Sequence, residues 1–256
     1  MPSPGTWPST PAKNPLIAKL SSGCLLDNDD RARLQEVTTR RRSVAARTDI
    51  ISEGEAPSDV HLILEGFACR YKLMPGGRRA IMAILVPGDF CDLDVAILDQ
   101  MDHNIGTLTP CTLVEIPRAT VDELTAAHPN VAHALRWATL VDEATLREWL
   151  ANMGQRPADR QLAHFLCELR LRLEVVGMAG RDGMHLPFTQ EEIGDTLGIS
   201  TVHVNRVLQH LREEGLVQMQ GRDVRISDLE RLEKFGEFDP GYLHLSLNGE
   251  PVALRT

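Results

Sequence analysis

The sequence predicts an α+β fold with three parts: an N-terminal antiparallel β-roll, a long dimerisation helix and a C-terminal winged helix-turn-helix. Three observations predict it. Short β-rich runs broken by glycine and proline turns fill Val44 to Ile116. From Arg118 the apolar spacing becomes helical and stays so to Met153. Between Thr189 and Leu211 a helix start, a glycine stop and a second helix start follow in close order.

The 256 residues suffice for two modest domains, each with its own core. Hydrophobic residues at 43% and charged residues at 25% are the balance of an ordinary globular protein, so most of the chain is expected to fold. No apolar run approaches the roughly 20 residues that cross a bilayer. The opening MPSPGTWPSTPAKNPL is proline-rich and lacks the apolar core of a secretory signal. No membrane partner and a cytoplasmic location are therefore expected. Cys24, Cys69, Cys91, Cys111 and Cys167 are scattered, with no short spacing that suggests zinc or a disulfide framework. The net charge of −9 argues against a broad nucleic-acid surface but leaves room for a small one.

Residues 1–20, rich in Pro, Ser and Thr, read as a flexible arm, and a short helix is expected near Asp29 to Thr38. Residues 21–128 form the β-roll, with strands at His61 to Leu64, Phe67 to Leu73, Ala80 to Val86 and Cys111 to Ile116. Turns at Glu53-Gly54, Pro75-Gly76-Gly77 and Pro87-Gly88 separate them. A short helix follows at Ala119 to Ala127 and stops near His128-Pro129. The long helix, residues 129–154, carries Val131, Leu135, Ala138 and Val141 at i, i+3, i+4 spacing. This stripe suits a dimer seam, and packing against the roll is the alternative. Gly154-Gln155-Arg156-Pro157 ends the helix and opens the second domain, residues 155–236; residues 237–256 are a C-terminal tail.

A helix over Ala158 to Val175 and a glycine-containing loop over Val176 to Pro187 lead to the most informative stretch. Thr189 and Glu192 fit a capping box. Gly198 can take the left-handed turn after that helix, and Ser200 can cap the next. Ile193, Leu197, Ile199, Val204, Val207 and Leu208 would lock the pair together, leaving Thr201, Val202, His203, Asn205, Arg206, Gln209 and His210 outward, a face able to read base edges in a major groove. Val217 to Gln220 and Asp223 to Ile226 then alternate as a two-stranded hairpin, the wing.

The pattern T-x-x-E-I-G-x-x-L-G-I-S followed by V-N-R-V-L-x-x-L-R-x-x-G-L-V resembles the DNA-binding domain of the Crp/Fnr regulators. Ile51 to Glu55, Val60 to Gly66 and Leu85 to Phe90 resemble the glycine turns of that family's cyclic-nucleotide-binding β-roll, so the resemblance spans about residues 44 to 236. It implies a homodimeric transcription regulator and not an enzyme, with double-stranded DNA and RNA polymerase as partners. By the same resemblance Ser200, Thr201, Val202, His203, Asn205 and Arg206 lie on or beside the reading surface. Thr189 and Gln190 face phosphates, and Arg222 is placed against them too. Arg206 can donate twice to guanine. Where the family often has a Glu and a further Arg, this helix has Thr201, Val202 and His203, which implies a different operator half-site.

In the sensor, the stretch that holds the phosphate of cyclic AMP in the family corresponds to residues 88–105. It contains no arginine and carries Asp92, Asp94, Asp99 and Asp102. Cyclic AMP is therefore not expected. Asp89, Cys91, Asp92, Asp94 and His103 stand as candidates for the pocket of an unknown small-molecule or redox effector. An iron-sulfur cluster lacks ligands, since Cys24 stands alone near the N-terminus. A haem could use His61, Cys69, Cys91 or His103, but a lone His or Cys in a roll more often packs. No cofactor and no metal are expected. A cupin-like enzyme would need paired histidines and a glutamate, whereas His61 stands alone in its strand. A signalling scaffold with a vestigial helix-turn-helix is the other alternative.

Overall fold

The computed structural model describes residues 7–11, 13–93, 100–247 and 250–251. Helix α1 (Pro15–Ser21) starts because Asn14 accepts from the amides of Leu16 and Ile17 and proline sits in its first turn. It buries Leu16 and Leu20. The flexible arm expected for residues 1–20 is thus corrected from Asn14 onward: two leucines four apart dock the helix on the roll. Helix α2 (Asn28–Val37) opens on a capping box between Asp27 and Asp30.

Two antiparallel sheets form the roll. One has β1 (Arg41–Val44), β7 (Cys111–Pro117) and β3 (Asp59–Glu65) in that order. The other has β2 (Asp49–Ile51), β6 (Asn104–Thr107), β4 (Ala68–Leu73) and β5 (Arg79–Leu85). Strand β6 begins at Asn104, within the last two residues of the stretch 88–105 that sequence reading compared with the family's phosphate-holding segment. Gly88, at φ +94°, lies so close to α1 that a Cβ there would come within 2.7 Å of the Pro15 carbonyl oxygen. Only glycine suits that turn.

Helix α3 (Arg118–Ala127) leads into α4 (Pro129–Gln155), a helix of 27 residues. Val131, Ala134, Leu135 and Ala138 of α4 pack with Leu16, Leu20, Leu62 and Val114 of the same chain. The stripe read as a dimer seam therefore faces the roll. The large apolar side chains that α4 leaves exposed are Leu140, Leu146, Leu150 and Met153.

Helix α5 (Ala158–Val175) begins the second unit, followed by β8 (Ala179–Gly180), β9 (Gly183–His185), α6 (Gln190–Leu197), α7 (Thr201–Glu213), β10 (Val217–Gln220), β11 (Asp223–Ile226) and α8 (Leu229–Phe235). The stretch expected to be a loop, Val176 to Pro187, contains β8 and β9. Strand β9 pairs with β11 and β8 pairs with β9, which makes the wing a four-stranded sheet in the order β10-β11-β9-β8, where a two-stranded hairpin was expected. The tail is also corrected. Phe238, Leu243 and Leu245 are buried, and the Tyr242 hydroxyl donates to Glu168 at 2.7 Å.

The two units share a core. Phe67, Ile84 and Val86 of the roll cluster with Phe165, Leu166, Leu169 and Phe188 of the second unit. The Phe67 and Phe188 rings meet edge to face at 5.2 Å. No helix among the described residues is long and apolar enough to cross a membrane.

Candidate nucleic-acid interface and sensing cavity

The helix-turn-helix forms as its local chemistry dictates. The Thr189 hydroxyl accepts from the Glu192 amide at 3.1 Å, and the Glu192 carboxylate accepts from the Thr189 amide at 2.7 Å. Gly198 ends α6 in the left-handed conformation at φ +69°. Ser200 accepts from the His203 amide at 3.3 Å and so starts α7. The turn closes tightly because Gly194 has no side chain: a Cβ there would stand 2.6 Å from the Ile199 carbonyl oxygen. Val204, Val207, Leu208 and Leu211 bury one face of α7.

On the opposite face Thr201, Val202, His203, Asn205 and Arg206 are all exposed, with Val202 at 62%. An exposed valine is costly in water and useful against a thymine methyl. Arg206 makes no ion pair among the described residues, so its guanidinium is open to a base edge. Asn205 donates its side-chain amide to the Thr201 carbonyl at 3.1 Å, a bond it must exchange to reach a base. Arg222 is exposed at the wing turn, where its carbonyl accepts from the Leu186 amide at 2.7 Å. Gln190 is exposed at the start of α6.

Thr189, Ser200 and Thr201 have a second neighbour that sequence reading did not find. They line a cleft shared with Arg47, Arg78 and Arg79 of the roll. Arg79 donates through Nε to Asp195 of α6 at 2.8 Å, a direct ion pair between the units. Nothing in the local sequence pairs residues so far apart.

The sensor candidates do converge. Asp89, Cys91, Asp92 and His103 line one cavity of about 360 Å³ between the roll and α4. Asp94 lies outside the described residues. The same cavity receives Lys19 from α1, Arg70 from β4 and Arg172 from α5. The absence of arginine from residues 88–105 therefore did not mean its absence from the pocket, because the cations arrive from distant elements.

Each of these cations already has an anionic partner. Asp89, buried, meets Lys19 Nζ at 2.5 Å and Arg172 Nη2 at 2.7 Å, and accepts from the Val86 amide at 2.8 Å. Burial alone would raise its carboxyl, but the two cations outweigh burial and hold it below the usual carboxylate range. Arg172 also reaches the Ile84 carbonyl at 2.8 Å and Glu168 at 3.1 Å. Arg70 pairs with Asp142 of α4 and donates to the Cys91 and Phe90 carbonyls. Asp92 accepts from both the amide and the ring Nδ1 of His61, at 2.7 and 2.8 Å. Burial opposes charge on that imidazole, yet Asp92 raises its pKa.

Burial pushes the Cys91 thiol well above its ordinary value and that of Cys111 up to about 11. The thiolate is the reactive form, so burial disfavours it at both sulfurs.

Comparison with known proteins gives this arrangement a place. Residues 41–128 match the cyclic nucleotide-binding domain, and residues 160–235 match the Crp-like helix-turn-helix domain. Over 207 residues the chain is 27% identical to the nitrogen fixation regulation protein FixK of Bradyrhizobium diazoefficiens, covering 80% of this chain and 86% of that one. It is 26% identical over 222 residues to the transcriptional activator FnrL of Cereibacter sphaeroides, covering 85% and 88%. The solved structure of FixK2 from Bradyrhizobium japonicum shares the fold with a TM-score of 0.69 at 25% identity, over 77% of this chain and 96% of that one. The two matched domains together take in more than half of the 256 residues, in the order that the roll, long helix and winged helix already define. The chain belongs to the Crp/Fnr family of DNA-binding transcription regulators, and is not an enzyme.

Proposed function

We propose that the chain acts as a homodimer that reads an inverted-repeat operator under control of a small-molecule signal taken up by the β-roll. It works in the cytoplasm with RNA polymerase as its partner. The observation that carries this reading is on α4, where Leu140, Leu146 and Leu150 are 52%, 49% and 61% exposed, with Met153 beside them. Leucines on a long helix between two units, not covered by their own chain, call for a partner helix. A second copy is the self-complementary answer. Two-fold symmetry would then set the recognition helices about 34 Å apart, on half-sites centred about 10 base pairs apart.

Cyclic AMP, a haem and an iron-sulfur cluster do not fit this chain. A phosphate or a haem propionate needs an unengaged cation, whereas Lys19, Arg70 and Arg172 are held by carboxylates. A thiolate cluster would have to recruit buried cysteines from separate elements.

The test is light scattering combined with gel shifts. Leu146→Glu with Leu150→Glu should leave a folded monomer that no longer holds a palindrome, because two like charges are forced into each half of the seam. A dimer of unchanged mass would refute the seam. Binding that is equal on operator and scrambled DNA would refute the regulator reading in favour of a scaffold.

A further inference from the structure

Strands β8 and β9 set two glycines directly opposite each other, Gly180 and Gly183, which leaves a patch of bare backbone on one face of the wing sheet. A Cβ on Gly180 would stand 2.8 Å from the Trp7 ring, and a Cβ on Gly183 would stand 3.2 Å from it. The half-buried indole of Trp7 therefore rests on backbone that any larger residue would cover. Gly183 has a second reason to be glycine, since its Cβ would come within 2.2 Å of the Val224 carbonyl oxygen on β11. Gly180 faces no backbone in this way: the atoms nearest its missing Cβ belong to the Trp7 ring and the Asp182 carboxylate.

The helix that follows Trp7 is fixed to the roll at both ends. At its start the Pro15 carbonyl abuts Gly88, and Lys19 meets Asp89 at 2.5 Å. Beyond its end the Ser22 carbonyl accepts from the Ser246 amide at 2.6 Å, and Gly23 lies so close under Trp137 of α4 that a Cβ would come within 2.1 Å of that ring. Trp7 thus sits on the wing sheet while α1 is held on the roll. The strand beneath it also shapes the wing. Gly183, Met184 and His185 of β9 pair with Arg225, Val224 and Asp223 of β11, and the Leu186 amide donates to the Arg222 carbonyl at the turn.

We propose that Trp7 is a positioning residue for DNA binding, a strap that ties the wing sheet to α1 and holds Arg222 in place over the phosphate backbone. This inference rests on the reading of the chain as a DNA-binding regulator. A wing without the strap must be ordered at the moment of binding, and that ordering subtracts from affinity. Phosphate contacts carry no sequence information, so the loss falls on every DNA alike.

Hydrogen exchange and DNA titrations on the full-length protein test it. Trp7→Ala removes the ring, Trp7→Phe keeps an aromatic one, and Gly180→Val fills the cradle while leaving Trp7 in the chain. In Trp7→Ala and Gly180→Val the amides of residues 179–186 should exchange about tenfold faster, while those of residues 62–64 in the roll keep their rates. Both variants should bind operator and scrambled DNA about threefold to tenfold more weakly, and Trp7→Phe should recover most of that loss. Added to Arg222→Ala, Trp7→Ala should cost less than about twofold more, because the strap acts through that arginine. Unchanged exchange at residues 179–186, a loss confined to the operator, or full additivity with Arg222→Ala would each overturn the proposal. If the wild-type protein prefers no sequence while the variants behave as stated on scrambled DNA, the regulator reading alone fails. If operator preference is intact and exchange does not respond, this inference alone fails.

Discussion

Asp89→Asn should destabilise the protein by about 2–4 kcal/mol, because it removes the charge that two cations share. Breaking a buried ion pair by deleting one partner typically costs 3–5 kcal/mol. Two features reduce that figure here. Lys19, with its side chain 21% exposed, can turn to water, and Arg172 keeps the Ile84 carbonyl and Glu168. The asparagine carbonyl can still accept from the Val86 amide that Asp89 now holds at 2.8 Å. For a chain of this length the loss corresponds to a fall in Tm of roughly 5–15 °C. Urea unfolding at fixed protomer concentration measures it, since the proposed dimer would link stability to concentration. A double-mutant cycle with Arg172→Met should give a coupling above about 1 kcal/mol.

The pH dependence supplies a second readout. Asp89 is depressed in the fold, so its contribution is present above the unfolded carboxylate pKa of about 3.9 and is lost as pH falls through the folded value. The acid limb of the stability curve should therefore be shallower in Asp89→Asn. A change below about 0.5 kcal/mol with no coupling to Arg172 would refute the claim that this cluster ties the roll to the second unit.

Other outcomes follow from single residues. Arg206→Ala should cost about 1–3 kcal/mol on the operator and relax one symmetric base pair, while Arg222→Ala should weaken all DNA alike and lower the salt slope by about one; equal losses for Arg206→Ala on operator and scrambled DNA would make it a phosphate contact. Gly194→Ala, which in most helices is mildly stabilising, should instead disable DNA binding because its Cβ would press on the Ile199 carbonyl; a variant with wild-type affinity would show that the turn can give way. His164, buried beside Arg156, Tyr242 and Glu148, has its pKa lowered to about 4, mainly by burial and then by Arg156. The unfolded chain takes up that proton first, so stability should be full above about pH 6.5 and fall by roughly 3 kcal/mol as pH drops to 4. His164→Gln should flatten that limb, and an unchanged slope would assign it to other groups.

Much of the fold was legible in the sequence because its signals are local. Thr189 with Glu192, Gly198 and Ser200 specify where two helices start and stop, since each cap acts within four residues. The 3.6-residue spacing from Pro129 and from Ala158 gave helices whose ends agree with the structure to within about two residues. That Thr201, Val202, His203, Asn205 and Arg206 share the exposed face of one helix was legible for the same reason.

Which partner each face meets was decided only by tertiary structure. Val131, Leu135 and Ala138 form an apolar stripe that would serve a dimer seam or a core equally well. The docking of α1 through Leu16 and Leu20 settled it for the core and left Leu146 and Leu150 uncovered. The cations of the cavity between the roll and α4 lay beyond local reading too, because Lys19, Arg70 and Arg172 come from three separate elements and meet only where the units close on each other. Periodicity and capping are properties of a few neighbouring residues. Charge balance in a buried pocket depends on groups that only the folded chain brings within a few ångströms, where the low dielectric makes each of them count.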